Sequence, residues 1–257
     1  MKRTVAFLCL LLAVIPATWA MNDAEAVNMS GSLRMLSQRM MKNYLAIGAD
    51  IRPDVALKQL DDSVALFEQR FLLLNDYAHS SAVRKDLAAI ETIWLPHREK
   101  LLGTPDREQA VQLMKDNLAL LKACNTAVET IAREAGVPGA EMVNIAGRQR
   151  MLSQKIAKAY FALYWRVPEP GLKQEFEDAR TLFTQSLDKL LASPLNTNEI
   201  NNALMKVQSQ WRFSSSGFAL DDGGRYVPTI ISVTTESILG KMDDITGLYE
   251  AVMAAEK

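Results

Sequence analysis

The chain has 257 residues, with 29 Lys and Arg against 30 Asp and Glu, a formal charge of −1 and two cysteines. This balance, with no basic stripe, excludes an electrostatic nucleic-acid binder. Nearly half the residues are hydrophobic while Gly and Pro number only 12 and 9, which favours helix and supplies one large core or two ordinary ones.

Residues 1–20 read as an export signal. Lys2 and Arg3 precede the apolar run Val5–Ile15, and the small-residue end Ala17-Thr-Trp-Ala20 predicts cleavage after Ala20 and a periplasmic protein. The alternative is an uncleaved inner-membrane anchor, although the run is shorter than the roughly 20 residues a span needs. After cleavage only Cys124 remains, so no intrachain disulfide is expected, and its place on an apolar seam reads as a buried small hydrophobe.

The first predicted helix contains Asn28–Tyr44 and runs to Gly48-Ala-Asp-Ile-Arg-Pro53, a stop and turn. The second carries the seam Leu57, Leu60, Val64, Phe67, Phe71, Leu74, and the third Val83, Leu87, Ile90, Trp94, His97, Leu101. The fourth uses Val111, Met114, Leu118, Leu121, Cys124, Val128 and Ile131, and stops at Gly136-Val-Pro-Gly139. A fifth helix contains Asn144–Tyr160 and ends near Val167-Pro-Glu-Pro-Gly171. The sixth has Leu172, Phe176, Ala179, Phe183, Leu187, Leu190, and the seventh Ile200, Leu204, Val207, Trp211. After a longer connection holding Asp221-Asp-Gly-Gly224, the eighth uses Ile231, Ile238, Met242, Ile245, Tyr249 and Val252.

Asn144–Tyr160 repeats Asn28–Tyr44 at a uniform offset, matching Asn28/Asn144, Gly31/Gly147, Arg34/Arg150, Met35/Met151, Ser37/Ser153 and Gln38/Gln154. Phe67/Phe183 and Trp94/Trp211 continue the match. Such self-similarity implies duplication of a structural unit. The predicted fold is all-α, with two tandem antiparallel four-helix units (22–136 and 138–257) related by an internal pseudo-twofold.

On a helical wheel Met29, Leu33, Leu36, Met40 and Ile47 form one face, expected to pack in the helix's own bundle. Gly31, Arg34, Met35, Gln38 and Met41 form the other. Its simplest reading is a helix contact in which Gly31 and Gly147 allow close approach and the arginines snorkel to water.

Gly31-Ser-Leu-Arg-Met-Leu-Ser-Gln-Arg39 resembles the P-box of the nitrate/nitrite sensor kinases NarX and NarQ. Gly147-Arg-Gln-Arg-Met-Leu-Ser-Gln154 resembles the matching segment of the type IV pilus chemotaxis transducer (PilJ) N-terminal domain. The resemblance implies a non-enzymatic sensor in which Arg34 and Arg150 hold a small oxyanion, with nitrate or nitrite the candidate, inside one chain or in a homodimer. Planar, permanently charged guanidinium suits such an anion. Two of them about 6 Å apart would repel by about 3 kcal/mol without it. Ser37, Ser153, Gln38 and Gln154 are candidates for further hydrogen bonds, with Asn28, Asn144, Met35 and Met151 in support. With no kinase or methyl-accepting region in the sequence, a separate membrane-bound kinase or chemoreceptor-like partner is expected to carry the signal. The competing expectation is a helical adaptor that uses the Gly-Arg-Met faces to bind a partner's helices, with no small ligand.

No enzymatic constellation is visible. Paired Glu-x-x-His motifs for a bundle metal site are missing, and His79 and His97 read as surface or helix-end residues. Asp221–Gly224 lacks the alternating ligands of a calcium loop. Ser37 and Ser153 have no histidine partner to activate them. No cofactor is expected.

Overall fold

The computed structural model describes residues 21–136, 139–218 and 226–255. The expected export signal and the Asp221–Gly224 turn lie outside them. Among the described residues there are eight helices and no strand: α1 (Asp23–Gly48), α2 (Pro53–Tyr77), α3 (Ser81–Leu101), α4 (Gln109–Ala135), α5 (Gly139–Tyr164), α6 (Leu172–Leu191), α7 (Asn198–Ser216) and α8 (Pro228–Ala255). None of them is long and apolar enough to cross a membrane.

Local chemistry starts several of these helices. Asn22 and Glu25 form a reciprocal capping box at α1, and Ser80 and Thr197 cap α3 and α7 through the backbone N–H of Val83 and Ile200. Pro53 occupies the first turn of α2, where its missing N–H costs nothing.

α1 packs on α2 and α4, α5 packs on α6 and α8, and α1 and α5 lie against each other. Asp23 meets Tyr77 while Lys42 meets Gln59, so α1 and α2 run in opposite directions. Gly31 stands beside Gly147, and Gly48 beside Trp165, so α1 and α5 run the same way. The two units therefore join along their motif helices.

Matched residues do matched work. Phe67 and Trp94 sit 4.4 Å apart at an interplanar angle of 34°, and Phe183 and Trp211 sit 4.2 Å apart at 35°. The Tyr44 hydroxyl accepts the backbone N–H of Asp106 ahead of α4, and the Tyr160 hydroxyl accepts that of Val227 ahead of α8. Each motif helix thereby fixes the entry to the last helix of its unit.

Two expected seams shift. Leu57 and Leu118 are exposed, and their places are taken by the buried Ala56 and Asn117. Asn117 turns inward because α1 offers it polar partners: it accepts from Gln38 at 2.9 Å and donates to the Ser37 carbonyl at 2.8 Å. His97 is not a surface residue but is 1% exposed, at the foot of the α3 seam beside Trp94. His79 is exposed and packs against the Tyr77 ring. Cys124 is buried as expected, and burial pushes its thiol up to about 12.

Candidate functional site

The expected division of α1 into a core face and a second face does not survive packing. Leu33, Leu36 and Met40 are buried, but so are Gly31, Arg34, Met35, Gln38 and Met41, while Met29 and Ile47 are only partly covered. Flanked by its own bundle and by α5, the helix is enclosed on nearly every side, and its polar residues must find partners inside.

Arg34 and Arg150 are 0% and 1% exposed, so neither snorkels to water. Each points back toward the start of its helix, as helical side chains do. Both Nη2 atoms fall within 3.5 Å of the place where a methyl group on Gly31 or on Gly147 would stand. Both guanidinium tips thus lie beside the glycine contact where the two backbones approach.

The Nη2 of Arg34 donates to the Asn144 carbonyl at 3.2 Å, and the Nη2 of Arg150 donates to the Asn28 carbonyl at 3.2 Å. Each arginine thus grips the opposite repeat at the opposite repeat's matched asparagine. The Asn28 side chain also accepts from Arg150 at 2.7 Å and donates to Glu250. The Asn144 side-chain oxygen is buried without a partner.

The two arginines differ in charge environment. Arg150 Nη1 donates to Asp243 of α8 at 2.5 Å, whereas Arg34 Nη1 donates to the neutral amide of Asn125 in α4 at 3.0 Å. Among the described residues Arg34 makes no ion pair. Burial lowers its pKa to about 9, and the charges of Arg148 and Arg150 push the same way. It is still a cation at neutral pH. Burial also lowers Arg150, with Asp243 opposing. Both Nε atoms are buried without partners. A single carboxylate, itself half in water, stands against two enclosed guanidiniums.

The serines and glutamines are placed differently from the expectation. Ser37 and Ser153 donate to the carbonyls of Arg34 and Arg150 at 2.8 and 2.7 Å. Gln38 donates to Ser37 and Asn117, and Gln154 to Ser153 and, at 3.4 Å, to the Thr235 carbonyl. None makes a hydrogen bond to either guanidinium; the glutamines fix each motif helix to the last helix of its own unit, and the serine hydroxyls accept from the glutamine amides. Met35 and Met151 are buried packing residues.

Asn125, Asp243 and Asn117 are polar residues beside apolar seams, and no spacing in the sequence marks them as partners of the motif. Among the described residues no group of His, Cys, Asp and Glu is arranged to hold a metal.

The family model PilJ, described as type IV pili methyl-accepting chemotaxis transducer N-term, matches residues 18–119 and 137–214, more than half of the chain. Comparison with curated proteins and with solved structures returned no match.

Proposed function

The chain belongs to the PilJ family of chemotaxis transducer N-terminal domains, and from that premise we propose that it is a periplasmic sensor whose motif arginines bind a small oxyanion, nitrate or nitrite first among the candidates. A separate membrane-bound partner carries its signal. The family is one of sensory input modules, and sensing rather than catalysis is the activity to explain. The observation that carries the ligand reading is the meeting of Arg34 and Arg150 at the Gly31–Gly147 contact, where, among the described residues, Asp243 pairs with Arg150 and no carboxylate pairs with Arg34. A monoanion would neutralise the remaining positive charge in a place where water is excluded and such a charge is costly. Gln38 and Gln154 support the site at one remove, by fixing the helices from which the arginines project, and Ser37 and Ser153 hold the two glutamine amides.

The adaptor reading is less well supported. It requires the Gly-Arg-Met faces to be free for a partner's helices, and those faces are buried against one another.

Calorimetry and thermal melting with nitrate or nitrite, at matched ionic strength against chloride, test the proposal. Bound anion should stabilise the protein by about 2.7 kcal/mol at a hundredfold excess over its dissociation constant. Arg34→Met and Arg150→Met should each abolish the gain. No effect beyond chloride on the wild type would reject both anions as ligands, and an undiminished response in both variants would reject the two-arginine site.

A further inference from the structure

Beside Arg150, a cavity of about 1110 Å³ opens where α1, α2, α5 and α8 come together. It is far larger than a triatomic or tetratomic oxyanion needs and matches the size of sites that take organic ligands. Its charges are mixed. Arg150 reaches it with a side chain 1% exposed and an Nε that has no partner. Arg70 of α2 lines the same cavity and, among the described residues, makes no hydrogen bond or ion pair; burial lowers its pKa, the nearby Arg150 charge pushes the same way and Asp243 opposes. Asp76 of α2 and Asp244 of α8 line it as well, and among the described residues neither makes a hydrogen bond or ion pair.

The other three carboxylates of the cavity are engaged. Asp243 is held by Arg150, Glu250 by the Asn28 amide, and Glu25 by the cap of α1. Among the described residues that leaves one guanidinium and two carboxylates without a hydrogen bond or ion pair, around a wall that includes Leu73 and the Tyr77 ring. A simple anion would meet an excess of carboxylates, and a simple cation would leave Arg70 unpaired. A ligand with both charges and an apolar part satisfies all three features.

We propose that this cavity binds a zwitterionic amino-carboxylate of the α-amino acid class with an apolar side chain. Its carboxylate lies on Arg70, its ammonium on Asp244 and Asp76, and its side chain against Leu73 and Tyr77. This assignment does not rest on the oxyanion reading, because Arg34 does not line the cavity and Arg70 has no part in the paired-arginine contact.

The test is calorimetry and thermal melting of the purified protein with each common L-amino acid at millimolar concentration. The best of the apolar ones is then compared with its carboxamide and with its deaminated acid. The amino acid should raise the melting temperature. Loss of either charge from the ligand should weaken binding at least about tenfold, as removing one partner of a charge-assisted hydrogen bond does. Arg70→Gln and Asp244→Asn should weaken it comparably with little change in the unliganded melting temperature, since among the described residues neither side chain makes a hydrogen bond or ion pair. Binding of no amino acid, equal binding of the singly charged analogues, or full binding by Arg70→Gln would each overturn the proposal. Nitrate provides the separate control. If nitrate stabilises wild type and Arg70→Gln alike while no amino acid binds, the cavity assignment fails and the paired-arginine reading stands; the reverse pattern rejects the paired-arginine reading alone.

Discussion

Lys42 and Glu236 form a 2.5 Å ion pair that ties α1 of the first unit to α8 of the second. Arg39 joins the same carboxylate at 2.7 Å. In the second unit the matched lysine, Lys158, pairs instead with Glu175, and the position matching Glu175 in the first unit is Gln59. Glu236 therefore supplies across the units a charge that α2 lacks.

This clamp sets an acid sensitivity. Although burial opposes it, the Lys42 and Arg39 charges and hydrogen bonds hold the Glu236 carboxyl at about 2. A depressed carboxyl pKa stabilises the fold above its ordinary value and loses that contribution as pH falls toward 2, about 3 kcal/mol in all. Burial lowers Lys42 to about 8, which gives a separate rise in stability from there toward pH 10.5. Glu236→Gln should flatten the acid limb of the stability–pH profile measured by urea unfolding. It should also cost about 3 kcal/mol at neutral pH by leaving Lys42 buried and unpaired. An acid limb identical to wild type would show that the clamp does not form.

The asymmetry between Arg34 and Arg150 gives opposite expectations for the empty protein. Arg34 is a buried cation with no carboxylate partner among the described residues, so an apolar side chain of similar volume relieves an uncompensated buried charge, which offsets the loss of its neutral bonds to Asn125 and the Asn144 carbonyl. Arg34→Met should melt at or above wild type in an anion-free buffer. Arg150→Met removes the bond to Asp243 and two bonds to Asn28, so it should melt lower. The reverse order in differential scanning calorimetry would refute the charge assignment.

His97 should act as a second acid-labile point. Both ring nitrogens are buried without partners, and burial lowers its pKa to about 4. Asp116 pulls the value up and Lys100 and Lys158 push it down. The folded state resists a proton that the unfolded chain accepts, so stability falls as pH drops from about 6.5 toward 4, by about 3 kcal/mol. His97→Leu should melt at least as high as wild type at neutral pH and clearly higher near pH 5. A variant that gains nothing at the lower pH would mean that the imidazole has a partner in solution.

Gly48 is the last residue of α1, and a methyl group there would stand 2.4 Å from the Trp165 ring at the end of α5. Gly48→Ala should destabilise by about 1–3 kcal/mol through overpacking, despite alanine's better helix propensity. Adding Trp165→Leu should recover part of that loss. Strict additivity of the two changes in chemical denaturation would mean that the residues do not touch.

Periodicity and turn chemistry were enough for the eight helices and their order, because apolar spacing and caps act over a few residues. The repeat also matched Phe67 with Phe183 and Trp94 with Trp211, and the two ring pairs pack alike although the interval between them is one residue longer in the second unit. It could not reveal that Leu118 would yield its place to Asn117, because that choice depends on what α1 presents to α4.

The paired arginines were legible as a motif, but their environment was not. Sequence by itself determined that Arg34 and Arg150 share a helix face with Gly31 and Gly147, a consequence of the helical period. Only the tertiary structure decided that Arg34 meets Asn125 where Arg150 meets Asp243, that Ser37 and Gln38 turn away from the guanidiniums, and that Arg70 enters the neighbouring cavity. Arg34 and Asn125, Arg150 and Asp243, and Gln38 and Asn117 are 91, 93 and 79 positions apart. Burial and charge balance at such contacts are set by which helices abut, and no local pattern encodes that.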